Sequence, residues 1–481
     1  MRCNDFPKIR CKLVYHCLGC HSKWPADKLL YVCPECGQVL LLENENMVEL
    51  ARIPGNDWQR LFDTRQGSRC PALRGVFRFY ELIAPVFEQG DIVWLGEANT
   101  PLVEASERFQ KELRTRFAFK NDGQNPSASF KDRGMACAFS HLKWLCRVNG
   151  WKEVLTVCAS TGDTSAAAAL YAAYVGPPLK SVVILPAGKV TPQQLSQPLG
   201  SGAIVLELPG VFDDCMKVVE YLSARYRVAL LNSKNSWRIL GQESYTYEIA
   251  QWFGWNMEGL CLFVPIGNAG NISAIMAACL KMLELGIIPA LPRIFGVQSE
   301  HADPVYRFYS QPEKERRWEP VKVRPSVAQA AMIGDPVSFP RVRYLVEQYN
   351  LKKGDFHVVQ VTEQEIMEAM LRANRHGHIA CTQGGECLAG MVKARESGLM
   401  DQSEYAVLDS TAHALKFSGF QEAYFTGTMD AAYGVNIKEE LQNKPVRLLA
   451  DANLSKISRQ EFARQGGEEI ARFLELHPLS S

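Results

Sequence analysis

Lys131 stands in a segment whose residue types suit covalent chemistry with a carbonyl compound. Residues 125–134 (NPSASFKDRG) follow a predicted strand, residues 117–120, and precede a helix predicted to begin near Asp132. A lysine at such a junction lies near the positive end of a helix dipole, which lowers the pKa of its amine. An amine must be partly neutral to attack a carbonyl carbon. Lys131 is therefore a candidate nucleophile, although a loop lysine on its own is more often a surface charge.

A glycine-rich loop forms a candidate anion site. Residues 264–271 (VPIGNAGN) lie between a predicted strand, 260–264, and a predicted helix that begins near residue 272. Two glycines let the backbone turn tightly and direct several N–H groups to one point at a helix N-terminus, which favours a phosphate. The pattern is neither a Walker loop nor a GxGxxG fingerprint, so it does not imply a nucleotide. Alone, it also fits an ordinary turn at a strand end.

Two further segments carry hydroxyl groups after predicted strands, residues 159–165 (ASTGDTS) and residues 409–416 (DSTAHALK). Each fits an anion site and also an ordinary helix N-cap. Ligands of parallel α/β folds bind at the carboxyl ends of the strands, so all four segments are expected to converge on one cleft. A lysine, a phosphate loop and two hydroxyl clusters are the groups that a pyridoxal-phosphate site needs.

The elements around these segments predict an α/β fold. Unbroken apolar runs at residues 154–158, 181–185, 260–264, 293–297 and 405–408 alternate with helical patterns. Such runs are typical of parallel strands covered on both faces. The length of 481 residues exceeds what one simple core supports, which predicts two lobes.

Four cysteines near the N-terminus have metal-ligand spacing. Two Cys-x2-Cys pairs, separated by 12 residues, comprise Cys17, Cys20, Cys33 and Cys36. Four thiolates fill a tetrahedral zinc site and leave no open position, so we expect a structural zinc ribbon with four cysteine ligands rather than a catalytic metal. A zinc ribbon alone could bind nucleic acid, but the chain has 53 basic and 52 acidic residues. This balance argues against nucleic acid and anionic membranes as partners.

The sequence also indicates the cellular compartment and the domain organisation of the protein. No apolar run approaches the roughly 18 residues of a membrane span, and the first residues lack the apolar core of a signal peptide. Scattered cysteines, odd in number, suit a reducing compartment, so we expect a cytoplasmic protein. The predicted organisation is a ribbon at 1–45, a catalytic domain at 46–445 with a smaller lobe near 135–245, and a helical tail at 446–481.

Taken in order, these segments resemble the threonine synthases of the plant and bacterial type. That family belongs to the tryptophan-synthase-β-like pyridoxal-phosphate enzymes of fold type II. The resemblance covers residues 75–420 and includes LGEANTPL (95–102), NPSASFKDRGM, STGDTSAAAA, LLNSKNSWRILGQES, VPIGNAGNI and STAHALKF. The order and spacing of these motifs make the resemblance specific.

The resemblance implies roles for individual residues. Lys131 would be the Schiff-base lysine of pyridoxal 5'-phosphate, Thr411 would contact the pyridine nitrogen, and Asp163 would lie at the ring hydroxyl. Asn232 and Arg238 would hold the substrate phosphate, while Ser160, Thr161 and Thr164 are candidates for the substrate carboxylate. The cofactor phosphate would bind the loop formed by Gly267, Asn268, Ala269, Gly270 and Asn271.

The implied reaction is O-phospho-L-homoserine plus water giving L-threonine plus phosphate, with Lys131 as the base for the α-proton, in a homodimer. Two departures stand out: Ala98 replaces a usual glycine, and residues 383–386 (QGGE) replace a typical HTGV. Two alternatives stay open. One is another enzyme of this fold, such as cysteate synthase or a phospho-amino-acid lyase. The other is a non-catalytic protein that binds a partner through its zinc ribbon and an inactive cofactor pocket.

Overall fold

A computed structural model describes residues 6–8, 11–158, 162–187, 192–209, 212–449 and 457–479 of the chain. The strands within these residues form three sheets. The strands are β1 (Leu13–Cys17), β2 (Lys23–Pro25), β3 (Leu40–Asn44), β4 (Leu102–Glu104), β5 (Arg116–Asn121), β6 (Val154–Cys158), β7 (Leu179–Pro186), β8 (Ile204–Leu208), β9 (Val228–Leu230), β10 (Leu260–Pro265), β11 (Arg293–Ser299), β12 (Asp355–Val361) and β13 (Tyr405–Ser410).

Helices fill the connections between these strands. They are α1 (Met47–Leu50), α2 (Gly55–Gln66), α3 (Tyr80–Ile83), α4 (Glu107–Leu113), α5 (Lys131–Asn149), α6 (Asp163–Val175), α7 (Pro192–Gly200), α8 (Phe212–Ser223), α9 (Ser236–Gln242), α10 (Ser244–Trp252), α11 (Gly270–Glu284), α12 (Pro304–Ser310), α13 (Phe339–Leu351), α14 (Glu363–Arg375), α15 (Thr382–Glu396), α16 (Ser418–Thr426) and α17 (Arg459–Phe473).

Two parallel sheets confirm the predicted α/β class. The larger has the order β12-β11-β10-β13-β5-β4, in which only the edge strand β4 is antiparallel to its neighbour. The smaller has the order β8-β7-β6-β9 and is parallel throughout. All six residues of β10 are buried, as expected for a strand covered on both faces. Among the described residues, no helix is both long and apolar enough to cross a membrane.

The N-terminal sheet, order β2-β1-β3, is antiparallel and carries the cysteine pairs. We call residues 13–44 the four-cysteine ribbon. The ribbon is not a separate body, because its buried residues Tyr15, Cys17 and Leu40 belong to the same apolar core as Trp237 of α9.

A cluster of buried charges fixes the start of α5. We define the charge cluster as Lys120, Asp122, Arg133 and Glu248, all at most 7 % exposed. Arg133 Nε lies 2.7 Å from Asp122 Oδ2, and Glu248 Oε2 lies 2.8 Å from Arg133 Nη2 and 2.6 Å from Lys120 Nζ. Burial opposes ionisation of Glu248, but the charges of Arg133 and Lys120 outweigh it and hold the pKa of that carboxyl well below its usual range. The cluster therefore joins β5, α5 and α10 by charge-assisted bonds.

Glu248→Gln should lower the free energy of unfolding by about 3 kcal/mol, because it leaves two buried cations with one anion. Urea unfolding followed by far-ultraviolet circular dichroism measures this. Glu284→Gln, an exposed position on α11, is the matched control and should change the value by less than about 0.5 kcal/mol. Equal urea midpoints for the two variants would contradict the role of the cluster.

Candidate active site

Three of the four predicted segments follow neighbouring strands of the large sheet. Residues 125–134 follow β5, residues 411–416 follow β13 and the glycine loop follows β10, and these three strands are adjacent in the order β10-β13-β5. The fourth segment follows β6 of the small sheet. Ser160 and Thr161 lie outside the described residues, and α6 begins at Asp163.

Direct bonds join the four segments. The N–H of Phe130 donates to the Thr411 carbonyl (2.8 Å), and the Asn271 amide donates to Asp409 Oδ2 (2.6 Å). Lys416 Nζ lies 2.8 Å from Asp163 Oδ1 and donates to the Ser127 carbonyl (2.8 Å). The convergence expected from the strand ends is therefore present in the structure.

Lys131 is the first residue of α5, one position earlier than the predicted helix start. Its side chain is half-buried, and its amine lies 3.8 Å from the centre of the Phe130 ring. Burial, reinforced by the positive charge of Arg238, lowers the pKa of Lys131 to about 7, while Asp163 acts in the opposite direction. A substantial fraction of this amine is thus neutral near pH 7 and able to attack a carbonyl or accept a proton.

Asp163 and Lys416 form an ion pair that the sequence analysis did not identify. Both side chains are largely buried, 7 % and 18 % exposed. The Asp163 carboxylate raises the pKa of Lys131 and the Lys416 ammonium lowers it, so the two charges of the pair act on the nucleophile in opposite directions. Lys416 is part of the STAHALKF motif, but its partner stands about 250 residues away and no spacing rule connects them.

The glycine loop has the form of an anion cradle. Ala269, in the left-handed conformation with φ of 61°, precedes the 15-residue helix α11. A Cβ atom at residue 267 would lie 3.0 Å from the Cα of Ala331, and one at residue 270 would lie 2.9 Å from Ile239 Cδ1. A side chain at residue 267 would press on the backbone of Ala331, whereas one at residue 270 would press on the flexible end of Ile239, so glycine is favoured most strongly at residue 267. The first N–H groups of α11 have no acceptor within the helix and are available to a phosphate.

Arg238 is a buried cation without a carboxylate partner among the described residues. It is 2 % exposed, and within the described part of the chain its Nη1 donates to the Leu231 carbonyl (3.2 Å). Burial lowers its pKa to about 10. A desolvated guanidinium needs a counter-charge, so an anionic ligand is expected here. Asn232, half-buried in the preceding loop, accepts a bond from the Lys234 N–H (2.9 Å).

The two remaining hydroxyl candidates take different positions. Thr411 is 5 % exposed, and its Oγ1 lies 3.8 Å from Cys381 Sγ. Thr164 is half-buried in the first turn of α6. Cys381 caps α15 and was not among the predicted site residues; its contact with Thr411 is visible only in three dimensions.

The two departures from the family pattern lie inside the protein. Ala98 has φ of 65°, a conformation that favours glycine; its N–H donates to Asn125 Oδ1 (2.8 Å). Gln383 and Glu386 lie in the first two turns of α15 and are 2 % and 0 % exposed. Neither amide atom of Gln383 has a hydrogen-bond partner in the described part of the chain, and burial raises the pKa of Glu386 well above its usual range.

The cysteines of the ribbon meet the geometry of a metal centre. The four sulfur atoms lie within 4.8 Å of one another, with Cys17–Cys36 at 3.3 Å and Cys20–Cys33 at 3.5 Å. A tetrahedron with zinc–sulfur bonds of about 2.3 Å separates the sulfurs by about 3.8 Å. The donor set and the spacing both fit zinc.

Comparisons with known proteins agree with this geometry. Residues 93–409 match the family model described as pyridoxal-phosphate dependent enzyme. The chain is similar to threonine synthase 2, chloroplastic, of Arabidopsis thaliana, with 37 % identity over 89 % of this chain and 80 % of the relative. It is also similar to the threonine synthase of Methanocaldococcus jannaschii, with 33 % identity over 84 % of this chain and 93 % of the relative.

A solved structure shows the same fold. The crystal structure of threonine synthase from Escherichia coli superposes with a TM-score of 0.61 at 20 % identity, covering 88 % of this chain and 95 % of that chain.

Lys416→Met should raise the pKa of Lys131, because it removes a nearby cation and frees Asp163 to stabilise the ammonium form. The pH dependence of Lys131 acetylation, followed by mass spectrometry on protein freed of bound small molecules, should shift upward by about 1 pH unit. Lys352→Met, an exposed position at the end of α13, should leave the profile in place. An unchanged pH profile of acetylation in Lys416→Met would show that the ion pair does not influence the pKa of Lys131.

Proposed function

Since the chain belongs to the pyridoxal-phosphate dependent enzymes, and within them to the threonine synthases, we propose that it converts O-phospho-L-homoserine and water to L-threonine and phosphate in the cleft around Lys131. The observation that carries this proposal is the pairing of a near-neutral lysine amine with two separate anion sites. One is the glycine loop at α11 and the other is Arg238. A phosphorylated cofactor and a phosphorylated substrate require two such sites.

The residues of the cleft fit pyridoxal 5'-phosphate. Lys131 would hold it covalently, the loop from Gly267 to Asn271 would bind its phosphate, and Thr411 would face its pyridine nitrogen. A hydroxyl at that nitrogen cannot keep it protonated as a carboxylate would. Asp163, with its charge balanced by Lys416, would lie near the ring hydroxyl. When bound, the cofactor supplies an electron sink for negative charge at the substrate α-carbon.

The protein supplies proton transfer and orientation. With a pKa of about 7, the free Lys131 amine would accept the α-proton of the substrate and return a proton later. Arg238 and Asn232 would hold the substrate phosphate until it departs from the γ-carbon, since a guanidinium fork suits a phosphate dianion. Ser160, Thr161 and Thr164 are proposed to hold the substrate carboxylate.

The proposal includes a structural zinc ion in the four-cysteine ribbon, a homodimer and a cytoplasmic location. The sulfur spacing supports the zinc, and the resemblance to the family supports the homodimer. Cysteines must be reduced and deprotonated to bind zinc, and a reducing cytoplasm keeps them reduced.

Purified protein given O-phospho-L-homoserine should release phosphate and L-threonine in equal amounts, measured by a colorimetric phosphate assay and amino-acid analysis. Phosphate without threonine would mean a phospho-amino-acid lyase. Neither product, from protein that retains the cofactor absorbance, would mean a different substrate, and turnover of O-phosphoserine with sulfite would indicate a cysteate synthase. A chain that takes up no pyridoxal phosphate would favour the non-catalytic alternative.

Lys131→Ala should abolish the absorbance of covalently bound cofactor and reduce kcat by at least about 10³-fold, since one amine both attaches the cofactor and transfers the protons. Lys143→Ala, three turns along the same helix, serves as the control and should keep both properties. Covalent cofactor retained in Lys131→Ala would refute the assignment.

Purified protein should contain one zinc ion per chain by plasma mass spectrometry. Cys36→Ser should lose most of this zinc, because three thiolates and a hydroxyl bind zinc more weakly than four thiolates. Cys146→Ser, a half-buried cysteine on α5, should retain it. Zinc at full occupancy in Cys36→Ser would exclude the four-cysteine site.

A further inference from the structure

The four-cysteine ribbon packs on the helix that carries Arg238, and one of the contacts is made by the Leu40 carbonyl group. Leu40 stands opposite Cys17 in the register of β1 and β3. Its carbonyl accepts bonds from Ser236 Oγ (2.8 Å) and from Arg341 Nε (2.9 Å). Leu40, Ser236 and Arg341 are 0 %, 1 % and 0 % exposed. Cys17, a proposed zinc ligand, is therefore paired across the sheet with the residue whose carbonyl bonds to Ser236, the first residue of α9.

Arg341 extends this contact to the loop before α9. Its Nη1 donates to the Ser233 carbonyl and its Nη2 to the Lys234 carbonyl, both at 2.9 Å. These residues lie between Asn232 and Asn235, whose side chain caps α9. Among the described residues no carboxylate pairs with Arg341, and burial lowers its pKa to about 9. Its bonds thus link backbone segments rather than balance a charge.

Arg341 is also connected to the glycine loop, through Ser338. Its Nη1 donates to Ser338 Oγ (2.8 Å), and the N–H of Ser338 donates to the Asn268 carbonyl (3.1 Å). The Arg341 guanidinium thus bonds directly to the ribbon and to the loop that carries Asn232, and it is connected to the glycine loop through Ser338.

A second set of contacts begins at Tyr15 of β1. Tyr15, two residues before Cys17 and fully buried, accepts a bond from Trp237 Nε1 (2.8 Å). Trp237 directly precedes Arg238 and stacks on His141, with ring centres 4.2 Å apart. The imidazole of His141 is in turn 3.2 Å from the Ala26 carbonyl of the ribbon.

We propose that the four-cysteine ribbon positions the phosphate-binding residues Asn232 and Arg238, with Arg341 as the connecting positioning residue, so that zinc in the ribbon raises the affinity for phosphorylated substrate. A bound metal fixes the turns on either side of β1 and β3. Without it the ladder that places the Leu40 carbonyl and the Tyr15 hydroxyl loosens, and α9 loses its supports. The inference rests on the proposed function, because it assigns Arg238 to the substrate phosphate.

Removal of zinc should weaken the binding of phosphorylated substrate and leave the rate of the chemical step unchanged. Holoenzyme treated with a zinc chelator should show a KM for O-phospho-L-homoserine raised about tenfold, with kcat within about twofold. The inhibition constant of inorganic phosphate should rise by the same factor, and added zinc should restore both values. Lys131 is held by α5 and the charge cluster rather than by the ribbon, so the absorbance of the bound cofactor should persist.

Arg341→Lys tests the connection without touching the metal. Lysine retains the positive charge, but its single ammonium group cannot bond at once to the carbonyls of Leu40, Ser233 and Lys234. KM and the inhibition constant of phosphate should therefore again rise about tenfold. Arg343→Lys, an exposed position on the same helix, is the matched control and should behave as wild type. Zinc content should be unchanged in both variants.

The outcomes separate this inference from the proposed function. Wild-type protein that releases no threonine would overturn the proposed function itself. Wild-type turnover with unchanged KM and phosphate inhibition in both the zinc-free enzyme and Arg341→Lys would overturn the positioning role alone. A fall in kcat with KM unchanged would also overturn it, because the ribbon would then support the fold rather than the phosphate site.

Discussion

The first turn of α5 contributes side chains both to the cleft and to the buried core. Its position therefore determines how the other active-site residues are placed around Lys131. Successive helix residues point about 100° apart. Lys131 therefore faces the cleft, Asp132 accepts bonds from the N–H and hydroxyl of Ser127 (both 2.8 Å), and Arg133 enters the charge cluster. Two of three consecutive side chains are fully buried and hydrogen-bonded, so the nucleophile has little freedom to change its direction. Preorganisation of this kind lowers the entropic cost of reaction.

The electrostatics of the cleft follow from that arrangement. Lys131, Arg238 and Lys416 bring three cationic groups together, and Asp163 is paired with one of them. Burial, together with the charge of Arg238, keeps the pKa of the nucleophile near 7, while the Arg238 guanidinium, which has no carboxylate partner among the described residues, favours an anion. The excess of positive charge in the cleft thus lowers the pKa of the lysine and also attracts phosphate. A phosphorylated cofactor and a phosphorylated substrate therefore suit this site.

Local patterns in the sequence predicted the features that depend on local chemistry. Strand ends, helix starts such as that near residue 131, and the convergence of four segments follow from periodicity and from the rule for parallel sheets, and the structure agrees. The Asp163–Lys416 and Asn271–Asp409 contacts join residues 253 and 138 positions apart, and no periodicity encodes such pairs. The cysteine spacing predicted a ribbon, but nothing in it predicted that Leu40 would meet Ser236 and Arg341.

The chain order of the ribbon has a consequence for biosynthesis. Leu40 bonds to residues 196 and 301 positions further along the chain, so during translation the ribbon leaves the ribosome long before its partners exist. Contacts of such high sequence separation form late. The ribbon strands, by contrast, pair within 32 residues of one another and can close early around a metal. The proposed zinc ion would then stabilise the ribbon before the rest of the chain is made. Without the ion, the apolar residues of this segment would stay exposed until the catalytic body folds, which favours aggregation and lowers the yield of folded enzyme.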